Sequence, residues 1–331
     1  MVFLFRDKSV INFFFLLLLS LAVHLHFFSG PPLVIANLHD GFISEFVIKY
    51  IQPLPLPLLV VVYHGLLLFQ ALRLNSVLNN LRMFHQQAHV TAMAYILFSG
   101  FFPEWSAITP ALIANALLIW IFLQLSKLYT HPSPKALLFN IGLLLGVTIL
   151  CYHPTSILIC LTLFALAIVR PFRLAEWIVL FMGIIIPFYF LASYLYLTNS
   201  IGQLHFFLPT IQFHLPIIKG DVWFWMGLSV FVLSLLAGLY YWQLNSGRMI
   251  IQIRKNWGVM IGFLLLVLPI PFVFKNETIY ASVLSLVPMA AFASNAYLYP
   301  RRLILPNILF WLSAAIIIHN NWHLVKYNPS F

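Results

Sequence analysis

Apolar runs of bilayer-crossing length recur along the whole chain, parted by short connections that hold most of its basic residues and many of its prolines. About 20 apolar residues cross a membrane as a helix, because a helix satisfies its own backbone donors and acceptors where no water can. Hydropathy and breakers predict eleven spans, at 11–29, 57–74, 89–103, 106–126, 136–152, 154–169, 174–195, 222–242, 257–274, 278–297 and 305–321. With 63% hydrophobic and 7% charged residues, a water-soluble globule is excluded. The expected fold class is an all-α integral membrane protein. It is read as a polytopic bundle of about eleven transmembrane helices in one domain, residues 1–331.

Charge supports the count independently. With the N-terminus inside, the inner connections carry Arg6 and Lys8, Arg73 and Arg82, Lys127 and Lys135, Arg170 and Arg173, Arg248, Arg254 and Lys255, and Arg301 and Arg302. Only Lys49, Lys219, Lys275 and Lys326 of the 17 basic residues fall outside, as the positive-inside rule requires. The net charge of +10 is thereby a topology signal rather than a nucleic-acid footprint. The N-terminal run is too long for a secretory signal and lacks a small-residue cleavage pattern, so it reads as an uncleaved first helix. Trp105, Trp177, Trp223, Trp225, Trp242, Trp257 and Trp322 fall at span ends, where an amphipathic indole is favoured. Cys151 and Cys160 stand in apolar runs and read as packing residues.

The first segment to leave the hydrocarbon, 30–56, reads GPPLVIANLHDGFISEFVIKYIQPLPL and holds Asp40 and Glu45, two of only seven acids. Phe42, Ile43, Phe46, Val47, Tyr50 and Ile51 recur at helical spacing, with Ser44, Glu45 and Lys49 on the other side. The pattern predicts a short amphipathic helix lying on the membrane surface after the first span. Prolines on both flanks stop the neighbouring spans from running through. A second outer loop covers 196–221.

On this map Asp40, Glu45, Glu104, Asp221 and Glu277 face outward, and only Asp7 and Glu176 face inward. Most histidines lean outward too, with His64 inside a span. Acid–base or metal chemistry is therefore expected on the outer face. Asp40 can act as a general base, or bind a divalent cation with His39 beside it; the alternative is that it caps the surface helix. Glu45 has Lys49 four residues on, the spacing of an ordinary helix pair. Glu104, in GFFPEWSAITP, occupies a tight turn where partial desolvation would raise its pKa, and His153 sits at the next outer turn. His85 and His89, and His319 and His323, have the spacing of metal ligands on one helix face, yet the two pairs lie on opposite sides and each supplies too few ligands. Arg170 and Arg173 read as topology anchors able to meet an anionic head group.

The stretches FRDKSVIN, FFPEWSAITPALIANALL and VRPFRLAEWIVLFMGIIIPFYFLASYLY resemble an uncharacterised family of bacterial multi-pass inner-membrane proteins. The resemblance implies a bacterial inner-membrane location, with a cytoplasmic N-terminus and a periplasmic C-terminus. Members have sometimes been called carotenoid-cleaving monooxygenases, which would imply several imidazoles around a buried iron. At fold level, a first span followed by an acidic outer loop and many further spans resembles the GT-C class of polyprenyl-phosphate-dependent glycosyltransferases. That resemblance implies a first-loop carboxylate acting as base or metal ligand, a part open to Asp40 and, after it, Glu45. Glu104 would be a second carboxylate, with His39, Glu45 and His153 around the substrate. The partners would be the lipid bilayer and a polyprenyl-phosphate lipid. The rival readings are a non-catalytic scaffold, whose acids are caps and turn residues, and a transporter.

Overall fold

The computed structural model describes residues 1–37, 40–129, 134–207, 222–274 and 279–327. Apolar helices occupy all eleven expected segments. They are α1 (Ile11–Val23), α2 (Leu56–Asn80), α3 (Val90–Ser99), α4 (Pro110–Lys127), α5 (Pro134–Cys151), α6 (Leu158–Val169), α7 (Leu174–Leu197), α8 (Val222–Ser246), α9 (Ile251–Val267), α10 (Leu286–Leu298) and α11 (Ile304–Tyr327). Among the described residues the isolated extended pairing is a parallel bridge between Val34 and Ile108.

Among the described residues eight helical segments are long and apolar enough to cross a membrane, which makes this a multi-pass membrane protein. The remaining three, Ile11–Val23, Val90–Ser99 and His153–Val169, are shorter than that. Ten residues of helix rise about 15 Å, half of a hydrocarbon core. Such a length is tolerable for α3 because all ten of its residues are buried in protein, where irregular backbone at its ends can find partners. Around α3 the bundle closes with α10, also buried at every position, and with α2 and α1.

Small residues set the closest helix contact. A Cβ on Gly142 would run into the Leu180 carbonyl, one on Gly146 would lie 2.5 Å from the Ile184 carbonyl, and one on Gly183 would lie 2.5 Å from that of Phe139. The GLLLG run of α5 thus lets the backbones of α5 and α7 touch, the way helices associate where lipid removes the hydrophobic drive. Much of the rest of α7, including Met182, Ile185, Tyr189 and Phe190, faces outward.

Sequence punctuation explains the helix ends. Thr109 caps α4, its Oγ1 accepting from the Leu112 N–H at 3.1 Å, and Pro110 follows at the first turn, where its missing N–H costs nothing. At the other end of α2, Met83 N donates to Leu78 O and Arg82 N to Asn79 O, the bonds of a Schellman-type stop. Arg82 occupies the left-handed position there, φ 51°, where glycine is usual.

The connections expected on the inner side do gather at one end of the bundle. Arg6 Nε and Nη2 donate to the Tyr297 carbonyl at 2.9 and 2.7 Å, and Nη2 also to Pro300 O at 3.0 Å. Trp257 Nε1 donates to Met83 O, and Lys255 Nζ to Val169 O. We call this the basic end, and the end carrying residues 30–56 the loop end. Two tryptophans assigned to interfaces, Trp105 and Trp257, are instead core residues at 3% and 0% exposure.

Candidate functional site at the loop end

The 30–56 loop is stapled to the bundle in two places. Ile108 N donates to Leu33 O at 2.8 Å and Ile35 N to Ile108 O at 3.1 Å, fixing the loop to the turn that carries Glu104. Further on, His153 N donates to the Asp40 carbonyl at 2.9 Å. Gly41 makes this possible: its φ is +122°, and a Cβ there would lie 2.6 Å from the Cys151 carbonyl oxygen. The structure thereby brings Asp40 and His153 together at the outlet of α5, at 7% and 6% exposure. His39 lies outside the described residues.

A helix does follow Asp40, but not as the pattern predicts. An α-helical turn, Phe42–Phe46, passes into a π-helical one, Val47–Ile51. The N-cap position falls on Gly41, one residue after Asp40. Ser44, Val47 and Ile51 pack inward, whereas Phe42, Phe46 and Tyr50, one turn apart, point out at 39%, 51% and 54% exposure. Both faces carry large apolar groups, so the aromatic row is the lipid-ready one and the slimmer row meets protein. Glu45 is exposed; among the described residues no ion pair joins it to Lys49, which lies 5.3 Å over the Tyr50 ring.

Glu104 rides on a 3₁₀ turn, Pro103–Ser106, anchored by Trp105 Nε1 donating to Ser282 Oγ at 2.7 Å. Its Oε2 is buried with no hydrogen-bond partner, and burial pushes its carboxyl above the usual carboxylate range. A carboxyl so placed can exchange a proton nearer neutrality than an exposed one.

Directly beneath that turn lies a buried polar network that the sequence reading did not assemble. Ser20 Oγ and His64 Nδ1 are 2.7 Å apart; His24 Nδ1 donates to Ser20 O at 3.0 Å; and Tyr63 Oη lies 3.0 Å from both His24 Nε2 and the Trp105 carbonyl. Because His24 Nδ1 carries a hydrogen, its Nε2 in the neutral ring is an acceptor, and the single Tyr63 hydrogen must serve either that nitrogen or Trp105 O. The rings of His26 and His64 stand 6.0 and 5.7 Å from that of His24. Apolar context and the spacing of His24 and His64 offered no signal for this, since the contact depends on how α1 and α2 pack. Among the described residues no three histidine, cysteine or acidic side chains converge to hold a metal ion.

Of the other histidine pairs, His85 and His89 do not share a helix face, whereas His319 and His323 lie four residues apart on α11. His85 precedes α3 and sits 5.0 Å from the Tyr299 ring, while His89 is the N-cap residue of α3, near Asn75. His319 stacks on Trp223 at 3.7 Å; the His323 side chain is outside the described set, as are Asp221 and Glu277. Arg170 and Arg173 both reach Glu176, at 3.8 and 4.0 Å, so one carboxylate partly offsets their two charges.

Cavities of about 880, 520 and 400 Å³ open at the basic end, and none of them is lined by Asp40, Glu104 or His153. No protein-family model, curated protein or solved structure matches the chain.

Proposed function

We propose that the protein is a GT-C-like membrane transferase. It takes a sugar from a polyprenyl-phosphate donor at the loop end, which on the positive-inside rule is the periplasmic face of a bacterial inner membrane. Asp40 is the general base that takes the proton of an acceptor hydroxyl as that oxygen bonds to the sugar, the sugar–phosphate bond breaks and polyprenyl phosphate leaves; Glu104 is a second carboxyl that exchanges a proton, and His153 a positioning group. The observation that carries this reading is the double staple. The first loop is held to the turns of Glu104 and His153 by backbone bonds, so three ionisable residues are fixed at one end of a membrane bundle.

One observation favours a non-catalytic scaffold instead: Asp40 and His153 are nearly buried, at 7% and 6% exposure. Lipid-linked sugar profiles of a deletion strain, its wild-type complement and an Asp40→Asn complement at matched expression separate the two. Precursor accumulation in both the deletion and Asp40→Asn strains is expected. A wild-type profile from Asp40→Asn removes the site assignment, and an unchanged profile on deletion leaves the scaffold reading.

A further inference from the structure

The basic end holds an arrangement that the transferase reading does not use. The cavity of about 880 Å³ is rimmed by Arg248, Arg301 and Arg302, and the neighbouring one of about 520 Å³ by Arg82, Arg248 and Arg301. The two share Asn245, Arg248, Tyr299 and Arg301, so they adjoin and four guanidinium groups line the pair. No acid lines either cavity, and among the described residues none of the four arginines has an ion-pair partner. Like charges gathered this way repel, and an anion seated among them reverses the sign.

Two features show that the rim is built rather than incidental. Arg82 holds the left-handed stop of α2, a conformation that costs a non-glycine residue on the order of 1 kcal/mol. Strain kept at one residue is a marker of a functional position. Arg6, with three hydrogen bonds to the Tyr297 and Pro300 carbonyls, fixes the turn that presents Arg301 and Arg302.

The walls below the rim say what kind of anion fits. The larger cavity continues between α8 and α11, lined by Leu244, Ile304, Leu305 and Ile308, all exposed between 40% and 65%. At the loop end the same two helices are in contact, with a Cβ on Gly227 lying 3.1 Å from Asn320 Nδ2 and 3.4 Å from Ile316. Toward the basic end they part around this apolar cleft. Arginines bind phosphate oxygens through paired N–H groups, and apolar walls below them accept acyl chain. A free phosphate would use only the rim, whereas an anionic phospholipid uses rim and cleft together. We infer that the Arg82, Arg248, Arg301 and Arg302 rim and the α8–α11 cleft hold one anionic phospholipid. This does not depend on the transferase reading, which concerns the other end.

The test is lipid retention by the full chain in detergent, read by native mass spectrometry after adding phosphatidylglycerol, phosphatidylcholine or glycerol 3-phosphate. Wild type is expected to retain one phosphatidylglycerol and neither of the other two. The double substitution Arg248→Gln with Arg301→Gln is expected to weaken phosphatidylglycerol binding at least tenfold. A matched double substitution at the same end, Lys135→Gln with Arg173→Gln, should bind as wild type. Ile308→Ser, which leaves the rim intact, should also weaken binding. Equal loss in both double variants would reduce the effect to general surface charge, and equal retention by all would remove the site. Glycerol 3-phosphate binding as tightly as the lipid would overturn the lipid assignment. Unchanged melting temperatures in the arginine variants, whose side chains are exposed, exclude misfolding as the cause.

Discussion

At the loop end the polar groups engage one another. Backbone bonds tie the 30–56 segment to the turns of Glu104 and His153, and the Ser20, His24, Tyr63 and His64 network is closed by the Trp105 carbonyl. At the basic end Arg82, Arg248, Arg301 and Arg302 instead face open cavities without an acid among them. The first region is held by hydrogen bonds within the protein, and the second leaves four guanidinium groups with no acid lining their cavities. Chemistry needs fixed geometry, whereas lipid capture needs space and an unmatched field.

The sharpest way to break this contrast is Gly41→Ala. A Cβ at φ +122°, 2.6 Å from a carbonyl, must displace the staple, and we expect a loss of about 4 kcal/mol or more. Gly30→Ala in the same loop meets nothing within 4 Å and should change the melting temperature in detergent hardly at all. Similar effects from the two would mean that the loop is not held against α5.

Tyr63→Phe comes next. It leaves His24 Nε2 and the Trp105 carbonyl without their shared hydroxyl, a loss of about 2 kcal/mol in thermal or denaturant unfolding. A neutral result would show that this network is not closed. At the basic end, Arg6→Gln removes the bonds to Tyr297 and Pro300 and should cost about 1.5 kcal/mol. It should also loosen phosphatidylglycerol retention, because the turn bearing Arg301 is freed, while Tyr63→Phe should leave retention intact.

The smallest effect is a pH dependence. Burial raises the Glu104 carboxyl above its ordinary value of 4.5, so the folded protein binds more protons there than the unfolded chain. Its contribution to stability is therefore complete below pH 4.5 and declines as pH rises through the folded value. Glu104→Gln should flatten that decline, measured as melting temperature against pH. A parallel curve for the variant would place Glu104 in water.

Much of the architecture was legible in the residues, because backbone satisfaction in lipid forces helix wherever apolar runs are long enough. Apolar helices stand on each expected segment, and the basic connections do collect at one end. What could not be read was which apolar face meets lipid and which meets protein. Phe42, Phe46 and Tyr50 are as apolar as Val47 and Ile51, and hydropathy does not separate a lipid contact from a helix contact. The same ambiguity hid Trp105 and Trp257 in the core. Span length failed for α1, α3 and α6, each of which falls short of the eight segments long enough to cross. At the candidate site, Asp40, Glu104 and His153 were legible singly, from their turns. Their placement at one end came from the Gly41 conformation and the Ile108 bridge, neither of which leaves a sequence period. His85 and His89 lost their shared face because helix begins only at Val90.

The central claim is that the loop end performs transfer from a polyprenyl-phosphate sugar with Asp40 as base. Its most direct test is turnover of such donors by the full chain reconstituted in vesicles, comparing wild type with Asp40→Asn at equal melting temperature. The account predicts release of polyprenyl phosphate by wild type and at least a roughly 100-fold lower rate for Asp40→Asn, the scale of a lost general base. Equal rates, or no release by wild type from any donor sugar, would contradict it.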